Sequence, residues 1–314
     1  MIIDKNLYIG IDLGGTSIKL GIIDEAGNII AKKEASTPQQ KYEETLELFV
    51  EMIQETGVSH NRIKGIGIGV PGFVDVETGK IGILVNVGWK NVNLKADLEN
   101  KLGIPVVVDN DANLAALGEV WQGAARGAKN IICVTIGTGI GSGIIIDGEI
   151  YHGKNALAGE IGHLPINPLK GHRCNCGKVG CLETEASATA IINYVALAKT
   201  HGRATIIPDN PTTKDIFIAA QSGDDLANEA INNATFYLGL ALSQISHALA
   251  PEKILIGGGV SKAKEQILNP IVDYFQQFSL TELNEQTEIV LAELKNDAGI
   301  FGAAYNAMIN LNDR

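Results

Sequence analysis

The sequence predicts an α/β protein built from two similar domains, and three observations carry that expectation. Apolar strand-like runs alternate with segments of helical period along the chain, the pattern of strands joined through helices. A strand–glycine turn–strand unit occurs twice: Ile11–Asp24 matches Val134–Asp147 at constant offset, with Gly14 on Gly137, Ile22-Ile23 on Ile145-Ile146 and Asp24 on Asp147. Such a repeat points to duplicated domains, chance likeness between two glycine-rich hairpins being the other reading. The chain has 314 residues, more than the roughly 250–300 at which a single hydrophobic core stops growing.

The elements follow in order. Leu7–Leu13 reads as a buried strand, Gly14-Gly15-Thr16 as a turn and Ser17–Ile23 as a second strand; Gly27-Asn28 turns the chain into Ile29-Ile30-Ala31. Tyr42–Thr56 places Leu46, Phe49, Val50 and Ile53 on one helical side. Ile63–Val70 is an apolar strand closed by Pro71-Gly72, and Val106–Val108 is a short β-branched strand that meets Asp109-Asn110-Asp111 before a helix over Ala112–Gln122. The unit then restarts, with strands over Asn130–Ile136 and Ser142–Ile146 flanking Gly137-Thr138-Gly139-Ile140-Gly141. Helices are expected over Ala186–Lys199 and Ala227–Leu249, a strand over Lys253–Ile256 before Gly257-Gly258-Gly259, and a terminal helix over Ala298–Asn310. That last helix is expected to return to the first domain. The division is therefore placed as 1–116 plus 297–314 against 117–296, with no Pro/Ser-rich linker between them.

Composition narrows the function. The 45% hydrophobic and 19% charged content is that of an ordinary globular protein. A net charge of −11 argues against binding a phosphate backbone, which relies on Lys and Arg. No apolar run reaches bilayer length, and Met1–Asn6 does not read as an export leader. Four cysteines are too few for a disulfide framework and suit a reducing cytoplasm. No nucleic-acid or membrane partner is expected.

Three glycine clusters suit a nucleotide, two of them its phosphates. In Asp12-Leu13-Gly14-Gly15-Thr16 with Lys19 beyond, the glycines admit a phosphate close to backbone N–H donors, Thr16 adds a hydroxyl, and Asp12 suits Mg²⁺ directly or through water. Gly137-Thr138-Gly139 repeats the arrangement, and Gly257-Gly258-Gly259 offers bare backbone against which a flat ring can lie. Each alone is a plain turn as readily as a site; together they point to a nucleotide held between two domains. Neither a Walker loop nor a dinucleotide fingerprint is present.

Asp109-Asn110-Asp111 lies at the carboxyl end of a strand, where α/β sheets bind ligands. Either aspartate suits a helix cap, but two acids exceed what a cap needs. Asp111 is the candidate base, taking a proton from a hydroxyl while positioning and charge stabilisation do most of the work of phosphoryl transfer. His163 with Cys174, Cys176 and Cys181 supplies the four ligands of a closed tetrahedral zinc site. A metal there would fix Glu160 and Glu183, which flank it in sequence. Four protein ligands leave no open position, so the metal is expected to shape the site rather than perform chemistry.

These residues, taken together, resemble the ROK family of sugar kinases and sugar-responsive repressors, within the actin-like ATPase superfamily. The likeness rests on Asp12–Lys19, Asn110–Asn113, Gly137–Gly141, Glu160–His163, Cys174–Cys181 with Glu183, and Gly257–Gly259, in that order along nearly the whole chain. It extends most closely to glucokinases through Val106–Glu119, Asn86-Val87-Gly88-Trp89 and the Cys-x-Cys-Gly-x-x-Gly-Cys-Leu-Glu string. The resemblance implies two actin-like (ribonuclease H-like) ATPase domains flanking a central cleft. It also implies transfer of the γ-phosphoryl group of ATP to O6 of glucose or a related hexose, with Mg²⁺, structural Zn²⁺ and a homodimeric assembly. By the same likeness Asp111 is the base on the 6-hydroxyl, and Gly72, Asn110, Glu160, His163 and Glu183 hold the remaining hydroxyls. Gly14, Gly15, Thr16, Gly137, Thr138 and Gly139 embrace phosphates, and Gly257–Gly259 border the adenosine. Asn86 either touches a hydroxyl or braces Trp89, itself a core or interface aromatic. Kinases acting on N-acetylmannosamine, fructose or allose share this frame. The family's repressors carry a DNA-binding module ahead of the first glycine turn, and only a few residues precede Leu7 here.

Overall fold

The computed structural model describes residues 6–84 and 87–311. The first strand, β1 (Leu7–Leu13), is almost wholly buried and runs antiparallel to β2 (Ser17–Asp24), as the two apolar runs and their glycine turn predict. Asp24, buried at the strand end, accepts hydrogen bonds from the Ala26 and Asn28 amides and so fixes the turn at Gly27. The next strand, β3 (Ile29–Ser36), is longer than the three apolar residues that announce it. Lys32, Lys33 and Glu34 hide the strand from a hydrophobicity reading, yet charge is tolerated on a sheet edge. Helix α1 (Tyr42–Gln54) buries Leu46, Phe49, Met52 and Ile53.

From β4 (Ile63–Val70), parallel to β1, the chain passes through a three-stranded sheet of β5 (Val74–Asp75), β6 (Lys80–Leu84) and β7 (Trp89–Asn93). Trp89 is a core residue there, packed edge-on against Tyr42; Asn86 lies outside the described residues. Helix α2 (Leu94–Leu102) then leads to β8 (Val106–Asn110), parallel to β4, and to α3 (Asp111–Gln122). The five-stranded sheet has the order β3-β2-β1-β4-β8.

The pattern restarts with β9 (Ile131–Ile136), β10 (Ile140–Ile146) and β11 (Glu149–Ile150). The helix expected over Ala186–Lys199 is two, α4 (Leu182–Ala186) and α5 (Ala188–Thr200). Ser187 divides them: it leaves helical geometry and accepts the Ala190 amide as the cap of α5. There follow α6 (Thr213–Gln221), the long α7 (Asp225–Leu249), β12 (Lys253–Gly257), α8 (Glu265–Phe278), α9 (Thr281–Gln286), β13 (Glu288–Leu291) and α10 (Ala298–Leu311). The second five-stranded sheet has the order β11-β10-β9-β12-β13. Each sheet thus begins with an antiparallel hairpin and adds parallel strands beside it, the structural counterpart of the sequence repeat.

Two compact units are present: Met1–Lys129 with Gly143–Gly159 and Glu293–Arg314, and Asn130–Ser142 with Glu160–Ala292. Compared with the sequence-based division, segments 117–129, 143–159 and 293–296 join the first unit. Backbone packing is the cause: a Cβ on Gly143 would stand 2.7 Å from the Ala112 carbonyl oxygen on α3. Helix α10 lies equally close to its sheet, where a Cβ on Gly67 would meet the Ala303 carbonyl oxygen at 1.8 Å. Each unit has its own apolar core, one centred on β1, β4 and α1, the other on β9, β12 and α7. Among the described residues no helix is long and apolar enough to cross a membrane.

Candidate active site

The acidic corner is made by the end of β8 and the start of α3. Asn110, not either aspartate, caps the helix: its Oδ1 accepts the amides of Ala112 at 2.9 Å and Asn113 at 3.2 Å. Asp111 is thereby the first helical residue, and its carboxylate accepts the Ala112 amide at 2.9 Å. The positive end of a helix stabilises a carboxylate anion, the form that can take a proton. The Asn110 side chain also donates through Nδ2 to the Gly72 carbonyl at 3.3 Å, which brings two expected sugar-binding positions together.

Asp109 is 2% exposed and spends both oxygens internally. One accepts the Asn110 amide at 2.7 Å and the Asn113 side chain at 3.1 Å; the other accepts His152 Nε2 at 2.7 Å. Hydrogen bonding to Asp109 raises the His152 pKa, against the opposing effect of its partial burial. Sequence reasoning does not find His152. It is a single histidine in a loop after β11, joined to Asp109 only by the fold.

The first glycine turn is braced from the β3 side. Thr37 donates its hydroxyl to the Gly14 carbonyl at 2.8 Å and its amide to the Thr16 carbonyl at 3.0 Å, while Gln39 donates to Gly15 at 2.6 Å. Asp12 projects beside the start of α10, where a Cβ on Gly299 would come within 2.7 Å of its carboxyl carbon. Burial raises the Asp12 pKa and nearby Lys19 opposes that shift. Lys19 reaches the Asn296 carbonyl at 3.3 Å.

In the second unit, the Gly137 amide donates to the Gly139 carbonyl at 3.0 Å, and the Gly137 carbonyl accepts Ala188 at 2.9 Å. The turn including Thr138 therefore abuts the α4–α5 junction. A Cβ on Gly139 would lie 2.6 Å from Glu183 Oε2. The third cluster ends β12: Gly258 has φ 82°, and Gly259 opens a short 3₁₀ turn. Beside it is a cavity of about 440 Å³ lined by Phe217, Ile218, Gly259, Val260 and Ala263, among others.

Glu160 immediately precedes a turn of 3₁₀ helix, Ile161–His163, that ends in His163, and the cysteines sit on a knuckle tied by the Cys174 amide to the Lys178 carbonyl. The ligand atoms of His163, Cys174, Cys176 and Cys181 all lie within 4.8 Å of one another. Cys174 Sγ is 3.6 Å from His163 Nδ1, and Cys176 Sγ is 3.6 Å from Cys181 Sγ. Tetrahedral zinc with sulfur ligands near 2.3 Å requires edges of about 3.8 Å. The donor set and spacing fit. Glu183 Oε1 lies 3.7 Å from His163 Nδ1 and Glu160 Oε2 3.9 Å from Nε2, so one imidazole stands between both carboxylates. Burial pushes the Glu160 pKa up, and neighbouring Glu183 adds to it. Burial likewise raises the Cys174 thiol, whereas the Lys178 amide lowers Cys176.

The profile of the ROK family matches residues 8–308. The chain belongs to the ROK family. Among ROK relatives, a glucokinase of Halalkalibacterium halodurans is 43% identical over 309 residues, 95% of this chain and 94% of that one. The crystal structure of a ROK family glucokinase from Streptomyces griseus in complex with glucose and AMPPNP superposes with a TM-score of 0.81 at 33% identity, covering 97% of this chain and 100% of that chain. A ROK family transcriptional regulator, a homologue of the E. coli MLC protein, gives a TM-score of 0.86 at 29% identity over 95% of this chain and 76% of its own. The fold is the family's actin-like pair of α/β domains, as the motifs led us to expect.

Proposed function

We propose that this ROK protein is an ATP-dependent glucokinase that transfers the γ-phosphoryl group of ATP to O6 of glucose. The observation that carries the reading is the chain-long likeness to a glucokinase at 43% identity. The structure of a ROK glucokinase with glucose and AMPPNP supports ATP and a hexose as the substrates.

Asp111 accepts the proton of the 6-hydroxyl as the oxygen attacks the γ-phosphorus and the bond to the bridging β–γ oxygen breaks, giving glucose 6-phosphate and ADP. At the start of α3 Asp111 faces the positive end of the helix dipole, which favours a carboxylate anion. Asn110 and the backbone at Gly72, together with Glu160, His163 and Glu183, hold the other hydroxyls, and the carboxylates accept hydrogen bonds from them. The turns at Gly14-Gly15-Thr16 and Gly137-Thr138-Gly139 bind phosphate through backbone amides, Lys19 adds positive charge, and Gly257–Gly259 border the adenosine. Asp12 would hold Mg²⁺, which neutralises charge on the phosphates when bound.

Zinc would be held by His163 Nδ1, Cys174, Cys176 and Cys181. It supplies a structural brace, since the donor set is complete without water. With Nδ1 so engaged, His163 Nε2 carries the hydrogen and donates to a sugar hydroxyl. A cytoplasmic homodimer belongs to the same reading. The regulator reading is weaker, because the phosphate turns and Asp111 are all present. A coupled assay over glucose, mannose, fructose and the N-acetylhexosamines tests the substrate. Glucose is expected to give the highest kcat/KM; a higher value for an N-acetylhexosamine or fructose overturns the choice.

A further inference from the structure

The Asp109 carboxylate is the hub of the corner that carries Asp111. Through one oxygen it holds the Asn110 amide and the Asn113 side chain, one on each side of Asp111 in sequence. Its other oxygen has His152 at 2.7 Å. A carboxylate this buried keeps its orientation only while each oxygen has a donor, and charge-assisted donors hold it best. His152 is itself anchored: the Tyr151 amide donates to the Ile144 carbonyl at 2.8 Å, and the His152 carbonyl accepts the Ala158 amide at 3.0 Å. The imidazole thus ties a fixed loop to the strand end beneath the base.

We propose that His152 is a positioning residue for phosphoryl transfer, acting through Asp109 to hold the Asn110–Asp111 corner. The proposal rests on the reading of Asp111 as the base. His152 also borders a cavity of about 770 Å³ lined by Phe73, Asp75, Gly82 and Asn155, among others. Water from that cavity can hydrate Asp109 when the ring is removed, so the fold is expected to survive the loss. Water does not fix the carboxylate's rotation, so the corner loses its register. A displacement of about 1 Å at a reacting group costs on the order of 100-fold in rate.

The test is steady-state kinetics and thermal unfolding of His152→Ala, His152→Gln and Asp111→Asn beside the wild type. A glutamine amide can place an N–H near Nε2 of the imidazole and restore the donor. His152→Ala is expected to lower kcat by roughly 10- to 100-fold with the KM for ATP within about twofold, and His152→Gln to recover most of it. A kcat within about twofold of wild type in His152→Ala overturns the proposal. So does a His152→Gln enzyme with wild-type melting temperature but turnover as poor as that of the alanine variant. If His152→Ala fails to fold, the glutamine variant decides alone, by the same criterion. Retained turnover in Asp111→Asn instead refutes the base reading, and so separates the two failures.

Discussion

Gly139→Ala isolates the contact between a turn proposed to bind phosphate and a carboxylate proposed to bind the sugar. The new Cβ would stand 2.6 Å from Glu183 Oε2, well inside the 3.4 Å at which ordinary contact begins. Gly139 does not adopt a positive φ, so alanine fits its backbone and the strain falls on the flexible end of Glu183. Retreat of that carboxylate removes a hydrogen bond that a glucose hydroxyl would donate to a charged acceptor, worth about 1.5–3 kcal/mol. Glucose KM is then expected to rise roughly 10- to 100-fold, with the melting temperature nearly unchanged. Gly137→Ala is the control, because a Cβ there meets nothing within 4 Å. Both variants alter the same turn, but only one touches Glu183. The assay is initial rate against glucose at saturating ATP. An unchanged glucose KM in Gly139→Ala, or an equal rise in both variants, refutes the assignment of Glu183 to the sugar.

Three further outcomes follow from particular contacts. Cys176→Ala is expected to reduce bound zinc, measured by atomic emission on the purified protein, from near one per chain to near none, and to weaken glucose binding; unchanged metal content rejects the ligand set. Gly67→Ala drives a Cβ to 1.8 Å from the Ala303 carbonyl oxygen, so α10 must lift from its sheet; unfolding in urea is expected to show a loss of about 3 kcal/mol or more. The His152 pKa is raised in the fold by its bond to Asp109. Its contribution to stability is therefore full below the unfolded value of about 6.5 and lost as pH rises through the higher folded value. The stability gap between wild type and His152→Gln is expected to narrow over that window, and a gap that widens with pH contradicts the pairing.

The sequence makes some elements plain and conceals others for physical reasons. β1 and β2 are legible because both are buried over nearly their whole length, so apolar run and strand coincide. The Cys-x-Cys knuckle is legible because its ligand chemistry is specific, and the structure brings those four side chains together. β3 is concealed by lysines that an edge strand tolerates, and the α4–α5 break by a serine whose capping bond only the fold reveals. α8 carries Ile267, Ile271 and Phe275 at helical spacing, but Pro270 within it argues locally against a helix. At the acidic corner the sequence offers two aspartates as caps, whereas Asn110 takes that role and Asp111 becomes the first helical residue. His152 is hidden because its partner is distant in sequence. No periodicity or motif links a loop histidine to a strand-end aspartate.

The role of Asp111 is decided by turnover in Asp111→Asn measured beside calorimetric glucose binding by the same variant. Removing a general base typically costs 10²–10⁴-fold, and the asparagine keeps the size and first-turn position of the side chain. If Asp111 is the base, kcat falls by about 10³-fold with glucose affinity within a few-fold of wild type. A variant that binds glucose and retains near wild-type kcat would contradict it.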